Sequence, residues 1–153
     1  MHHQRVQLLV FLLRIRLGDD ANELTNTLGK PDRSDAAMGA SLMTWFAGHD
    51  TSGYRISVYA HRNMGAKDEN INHVKQIRVT SPGYKTASRI GVGVSLNSIQ
   101  KHFMVVKRKV PGTIIYDDVK AGIAFEMDAA DKCSAVIVHA AADSSATYIN
   151  MRE

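Results

Sequence analysis

An internal repeat constrains the fold of this chain more than any other feature of its sequence. Residues 17–28 and residues 92–103 can be aligned at a constant offset of 75, with a glycine on a glycine and three further apolar positions in common. In each segment the apolar residues recur at i, i+3 and i+7, which is typical of one face of a short amphipathic helix. Asp20 and Ser95 lie where an N-cap side chain is expected. The sequence therefore predicts two short helices in tandem copies of one unit.

The segments that follow each helix also resemble each other. Three strands are predicted after each helix, at 42–47, 54–59 and 74–80, then at 113–116, 122–127 and 135–138. Residues 54–59 alternate between polar and apolar residues with period two. The predicted fold class is α+β, with two helix-plus-three-strand repeats that form a mainly antiparallel sheet with the helices on one face.

The repeat also predicts the domain organisation. Residues 1–16 form an apolar strand or docking segment, residues 17–81 the first repeat, residues 82–142 the second repeat and residues 143–153 a C-terminal tail. Each copy has roughly 60 to 75 residues, a size at which independent folding is marginal. We therefore expect one cooperative domain.

The most hydrophobic segment, residues 6–17, is too short for a transmembrane helix, which needs about 20 apolar residues. Arg14 and Arg16 stand where the small residues of a signal-peptide cleavage site would be expected. We therefore interpret the segment as a strand or as a surface that forms a homodimer. A single cysteine, Cys133, excludes an intrachain disulfide and favours the cytoplasm, although export stays open if the segment is a truncated signal.

Three motifs resemble a known family. A Leu-Gly-Lys-Pro sequence at 28–31 closes the first helix, Trp45-Phe46 lies in the strand that follows, and residues 84–95 lead into the second helix. This pattern, over roughly residues 15–140, resembles the α+β repeat of the β-lactamase inhibitory proteins and the small outer-membrane lipoprotein A family. The resemblance implies a non-enzymatic protein-binding module, in which an acidic hairpin residue such as Asp50 reaches into the partner. Because the inhibitors are exported and disulfide-bonded, it does not imply β-lactamase inhibition here.

No catalytic, metal or cofactor site is predicted. The chain has seven histidines, but none forms an i, i+4 pair or a His-x-Glu set. The Asp117-Asp118 pair lacks a third group that would perturb its pKa, and the glycine-rich turn at 91–95 lacks the lysine of a phosphate-binding loop.

The sheet offers a better candidate site. Alternation places tyrosine, arginine and histidine side chains on the face opposite the helices, and such residues are enriched at protein interfaces. The leading hypothesis is a non-enzymatic protein-binding or inhibitor-like module that contacts an unidentified protein through this face and its hairpin. The candidate residues are Trp45, His49, Asp50, Arg55, Tyr59, His61 and Arg78.

Two other functions stay open. A basic loop of Lys107, Arg108 and Lys109 could bind nucleic acid, together with Arg55 and Arg78 on the sheet. The net charge of +4 is spread evenly along the chain, however, and does not favour a nucleic-acid partner. The third hypothesis is a small ligand-binding protein or hydrolase with a pocket under the N-terminal segment.

Overall fold

An eight-stranded antiparallel sheet forms the framework of the fold in a computed structural model, which describes residues 14–142. The strand order is β1-β2-β3-β4-β8-β7-β6-β5, so two four-stranded meanders meet where β4 pairs with β8. The strands are β1 (Arg33–Ala37), β2 (Ala40–Phe46), β3 (Arg55–Arg62), β4 (Asn72–Val79), β5 (Val106–Val110), β6 (Thr113–Asp118), β7 (Ile123–Met127) and β8 (Cys133–His139).

The helices are short and precede the two meanders. A 3₁₀ turn at Ala21–Glu23 leads into α1 (Thr25–Leu28), α2 spans Leu96–His102, and another 3₁₀ turn at Ala47–His49 connects β2 to β3. The Ser95 hydroxyl caps α2 by accepting a hydrogen bond from the Ser98 N–H.

The predicted fold class is wrong. The structure is dominated by its sheet, and a fold with two helix-plus-three-strand repeats does not describe it. The sequence did not predict strands β1 and β5, because neither segment alternates between apolar and polar residues. Every residue of β1 is exposed, and β5 carries three consecutive basic residues. The prediction of a basic loop at Lys107–Lys109 is also wrong, because these residues lie in β5 at an edge of the sheet.

Two glycines at the predicted offset form the same backbone contact. The Gly18 N–H donates to the Val74 carbonyl at 2.8 Å, and the Gly93 N–H donates to the Cys133 carbonyl at 2.8 Å. Both glycines have positive φ angles, of 89° and 96°, which side chains other than hydrogen rarely tolerate. Each contact ties the segment before a helix to the fourth strand of the meander that follows.

One face of the sheet packs against the helices. Leu24 and Ile99, from the two helical segments, are buried among apolar side chains of the strands. The main members from the strands are Met43, Trp45, Val58, Val74, Ile77, Ile123, Phe125, Val136 and Val138. The opposite face, which we call the polar face, has a small apolar cluster of Ile115, Ala124 and Ile137, to which none of the described helices contributes.

Candidate functional site

The polar face is buried along its middle. Strand register places Thr44, Ser57, Arg78, Ile137, Ala124 and Asp117 side by side across six strands, from β2 to β6 in sheet order. All six are buried. A polar surface that serves only for solubility would leave its polar side chains in water. The burial of the four polar residues, Thr44, Ser57, Arg78 and Asp117, therefore requires internal partners.

Arg78 and Glu126 form one such pair. Arg78 Nε donates to Glu126 Oε2 at 2.6 Å, and its terminal nitrogen donates to Glu126 Oε1 at 3.2 Å. The pair spans β8, where Glu126 lies opposite the small residue Ala135. Because the guanidinium is used in this bidentate contact, Arg78 is a structural residue and not an open binding group.

His139 and Asp117 form a second pair. The ring nitrogen Nε2 lies 2.8 Å from Asp117 Oδ1, and Nδ1 donates to the Ala140 carbonyl at 2.8 Å. Arg108 Nε lies 3.6 Å from the other Asp117 oxygen. Both ring nitrogens of His139 are thus engaged by neighbouring groups, and the ring is fully buried, so it does not face an open site.

Gln76, in β4 of the first meander, lies beside the His139–Asp117 pair. Register places it beside His139 on one side and Tyr59 on the other. The side chain is fully buried, and neither amide atom has a hydrogen-bond partner within residues 14–142. Tyr59, a predicted binding residue, therefore borders buried polar groups and is itself half-buried.

The accessible part of the site lies at the end of the β2–β3 hairpin. There, a pocket of about 190 Å³ opens between the hairpin and the connector that follows β4, and we call it the hairpin pocket. Its lining is mostly apolar and aromatic, and Tyr54 is 53% exposed. The lining residues are Trp45, Phe46, Ala47, Tyr54, Arg55, Ile56, Ser81 and Tyr84.

Arg55 is held in place at this pocket. Its guanidinium carbon lies 4.7 Å from the centre of the Phe46 ring, and a terminal nitrogen donates to the Thr51 carbonyl at 3.2 Å. Arg33 approaches the same ring at 5.1 Å. Arg55 forms no ion pair with any carboxylate within residues 14–142. Arg55, a lining residue of the pocket, thus has a restrained guanidinium that no carboxylate within residues 14–142 neutralises.

The two acidic side chains near the hairpin have partners within the hairpin region. Asp32 accepts a hydrogen bond from the Phe46 N–H at 2.8 Å and lies 2.7 Å from His49 Nδ1. The Phe46 N–H, followed by the His49 side chain, lowers the pKa of Asp32 below its usual value of 3.8. Hydrogen bonds from the Ser52 backbone and hydroxyl likewise lower the pKa of Asp50.

The structure brings together only some of the predicted site residues. Arg55 and Trp45 line the hairpin pocket, and His49 and Asp50 lie in the adjoining turn. His61 lies near the far end of β3, opposite His73, whose Nε2 is 2.9 Å from Asp68.

The basic cluster is divided between the two faces of the sheet. Arg108 reaches Asp117 on the polar face, and its neighbours Lys107 and Lys109 point to the other face because side chains alternate along a strand.

Sequence reasoning missed Phe46, Tyr54 and Tyr84 as site residues. One feature of the sequence could have indicated them: these three aromatic residues lie next to predicted strand ends or in the connector between the repeats. Side chains from separate elements often meet at such positions.

Reactive and metal-binding groups are not assembled in the described part of the chain. Among residues 14–142, no group of three histidine, cysteine or acidic side chains is placed to hold a metal ion. Cys133 is buried, and burial raises the pKa of its thiol to about 12.

The N-terminal segment lies mostly outside the described residues. Ile15 is fully buried in the core and Leu17 packs against the core. Residues 6–13 of the predicted docking surface at 6–17 lie outside the described residues, and so does any pocket beneath them. Homodimer formation through this segment stays a prediction. Among the described residues, no helix has the length and apolar character needed to cross a membrane.

Comparisons with known proteins identify no family. No family model and no curated protein matches the chain. An extracellular protein containing an SCP domain from Bacillus anthracis str. Ames is similar over 80% of this chain and 43% of that chain, with 13% identity and a TM-score of 0.49. A DUF4309 family protein from Bacillus subtilis subsp. subtilis str. 168 is similar over 79% of this chain and 78% of that chain, with 17% identity and a TM-score of 0.47. The chain thus spans less than half of the first of these structures.

Proposed function

We propose that this chain is a non-enzymatic protein-binding module that contacts its partner through the hairpin pocket. The observation that carries the proposal is an aromatic-lined pocket with Arg55 in its lining, whose restrained guanidinium pairs with no carboxylate among the described residues. Arginine and tyrosine at the edge of a pocket are the residue types that contribute most binding energy at protein interfaces.

The polar face supports binding over catalysis. Its charged groups are engaged in the Arg78–Glu126 and His139–Asp117 pairs, and the Cys133 thiol is protonated at neutral pH. A nucleophile needs an available thiolate or an adjacent base with a free lone pair. The Cys133 thiol does not supply such a thiolate, and the His139 ring is fully buried with both nitrogens engaged, whereas the hairpin pocket needs no chemical activation in order to bind.

Site-specific photocrosslinking in cells that express the chain tests the proposal. The variant Tyr54→p-benzoylphenylalanine places the crosslinker at the pocket rim, at a residue whose exposure makes the change compatible with folding. We expect one discrete adduct on irradiation. Mass spectrometry should identify the captured protein, and its binding should be reproduced with the two purified proteins.

A matched control uses Met104→p-benzoylphenylalanine. Met104 is 80% exposed and follows α2 in the second half of the chain, away from the hairpin pocket. An equal pattern of adducts from both positions, or none from Tyr54, would contradict the proposed function.

A further inference from the structure

We infer that the hairpin pocket receives one aromatic or large aliphatic side chain of a partner protein, and that Arg55 binds a carboxylate next to that side chain. The inference rests on the proposed function, and it identifies the partner segment by its chemistry: a large apolar residue adjacent to aspartate or glutamate.

The size of the pocket indicates a single side chain. Pockets that bind whole small molecules or cofactors usually have volumes of about 300 to 1,000 Å³, and this pocket measures about 190 Å³. That volume is close to the volume of one large apolar side chain. The occupant is therefore an anchor residue that belongs to a larger partner.

The lining predicts an apolar anchor. Trp45 is a wall of the pocket, but its indole N–H already donates to the Gly29 carbonyl at 2.9 Å. The indole ring therefore offers only apolar surface to an occupant. Phe46, Ile56 and Tyr84 extend this surface, so burying an apolar side chain here gains the usual hydrophobic free energy.

The charge of the lining predicts a carboxylate beside the anchor. Among the residues that the structure describes, Arg55 is the only charged one that lines the pocket. The acidic residues of the hairpin region, Asp32 and Asp50, are engaged with Phe46, His49 and Ser52. A guanidinium pairs with a carboxylate through two parallel hydrogen bonds, which gives geometric selectivity as well as affinity.

The conformation of Arg55 lowers the entropic cost of that pairing. Arginine loses much side-chain freedom when it is fixed. Here, stacking on Phe46 and the hydrogen bond to Thr51 already restrict the side chain before a partner arrives. Pre-organisation of this kind increases affinity without any new contact.

Selection of peptides from an unbiased random display library on the full chain tests the inference. We expect the enriched peptides to carry an aromatic or large aliphatic residue next to aspartate or glutamate. Their binding can be followed by intrinsic fluorescence, because Trp45 is the only tryptophan in the sequence and lines the pocket.

A double-mutant cycle then tests the contact itself. Arg55→Gln in the chain and Asp→Asn or Glu→Gln in the peptide should each weaken binding about tenfold, and the second change should add little to the first. Tyr54→Ala, at an exposed position, should also weaken binding. Lys101→Gln, which removes an exposed positive charge from α2, should leave binding unchanged.

The possible outcomes separate this inference from the proposed function. Peptides that bind equally well to the wild type and to Arg55→Gln, or a cycle with independent effects, would overturn the inference and leave the module a protein binder. A failure to enrich any peptide would overturn it too, while the crosslinking result would still decide the proposed function. Arg55→Lys, which keeps the charge but loses the bidentate geometry, should bind with intermediate affinity if the variant is folded by circular dichroism.

Discussion

Arg78 and Glu126 are joined by two hydrogen bonds across the seam between the two meanders. Arg78 belongs to β4 in the first meander and Glu126 to β7 in the second, and β8 lies between them. Along that seam β4 and β8 pair at only four positions, from Gln76 to Val79. We expect this buried ion pair to help set the register of the short seam, because each charge can be satisfied only when the two halves are aligned.

Removing one member of this pair should destabilise the protein strongly. Glu126→Ala leaves the Arg78 guanidinium buried without its carboxylate, and Arg78→Ala does the reverse, at a cost of about 3 to 5 kcal/mol each. The double variant Arg78→Met/Glu126→Leu removes both charges and should be closer to the wild type than either single variant. Urea unfolding measures all four free energies, and single variants within about 1 kcal/mol of the wild type would contradict a structural role.

Burial of Cys133 should make the thiol unreactive in the native state. The reactive species is the thiolate, and with a pKa of about 12 it is scarce at pH 8. Iodoacetamide should therefore label the protein slowly under native conditions and completely in urea, as measured by mass spectrometry. Rapid labelling of the native protein would show that the thiol is exposed or activated.

Much of the sheet could be predicted from the sequence, and the fold class could not. The alternation in 54–59 predicts a strand, and the repeated pattern predicts another at 135–138; the structure contains them within β3 and β8. Strand β1 is held by its pairing with β2, a tertiary effect that its own residues do not encode. The glycine contacts of Gly18 and Gly93 fall at the predicted offset of 75, while the tandem-repeat interpretation stays a prediction.

The candidate site was harder to predict because it depends on pairing between distant strands. Alternation places Arg78, Glu126 and His139 on one face, but only the strand order brings Glu126 within reach of Arg78. Similarly, Tyr54 and Tyr84 line one pocket because the connector after β4 returns to the hairpin. The spacing of Tyr54 and Tyr84 in the sequence does not predict that they line the same pocket.

The contact between Asp32 and the hairpin should make stability depend on pH at the acidic end. Hydrogen bonds from the Phe46 N–H and the His49 side chain lower the pKa of Asp32 in the folded state below 3.8. The ionised form is therefore favoured by folding, and its contribution is present above pH 3.8 and is lost as the pH falls through the lower, folded-state value. Asp32→Asn should be less stable than the wild type at pH 6, and the difference should shrink below pH 3.8 in urea titrations at each pH. A difference that does not change with pH would contradict this account.

Gly122 should be the least replaceable of the glycines beside the polar face. Its φ is +74°, and an added Cβ would lie 2.5 Å from the His139 carbonyl oxygen. That distance is too short for a methyl group to fit unless the backbone moves. Gly48 provides a matched control, since its φ is +61° and nothing lies within 4 Å of an added Cβ. Both alanine variants incur the cost of a left-handed backbone, about 1 to 2 kcal/mol, but only Gly122→Ala adds a clash with the backbone of β8. Urea unfolding should therefore show that Gly122→Ala is less stable than Gly48→Ala by about 2 kcal/mol or more.

A second measurement locates the effect of the substitution. The amide resonance of His139, whose N–H donates to the Gly122 carbonyl at 2.9 Å, should shift in Gly122→Ala and not in Gly48→Ala. Equal losses of stability in the two variants would show that the backbone around His139 can move, and with it the pair that His139 forms with Asp117.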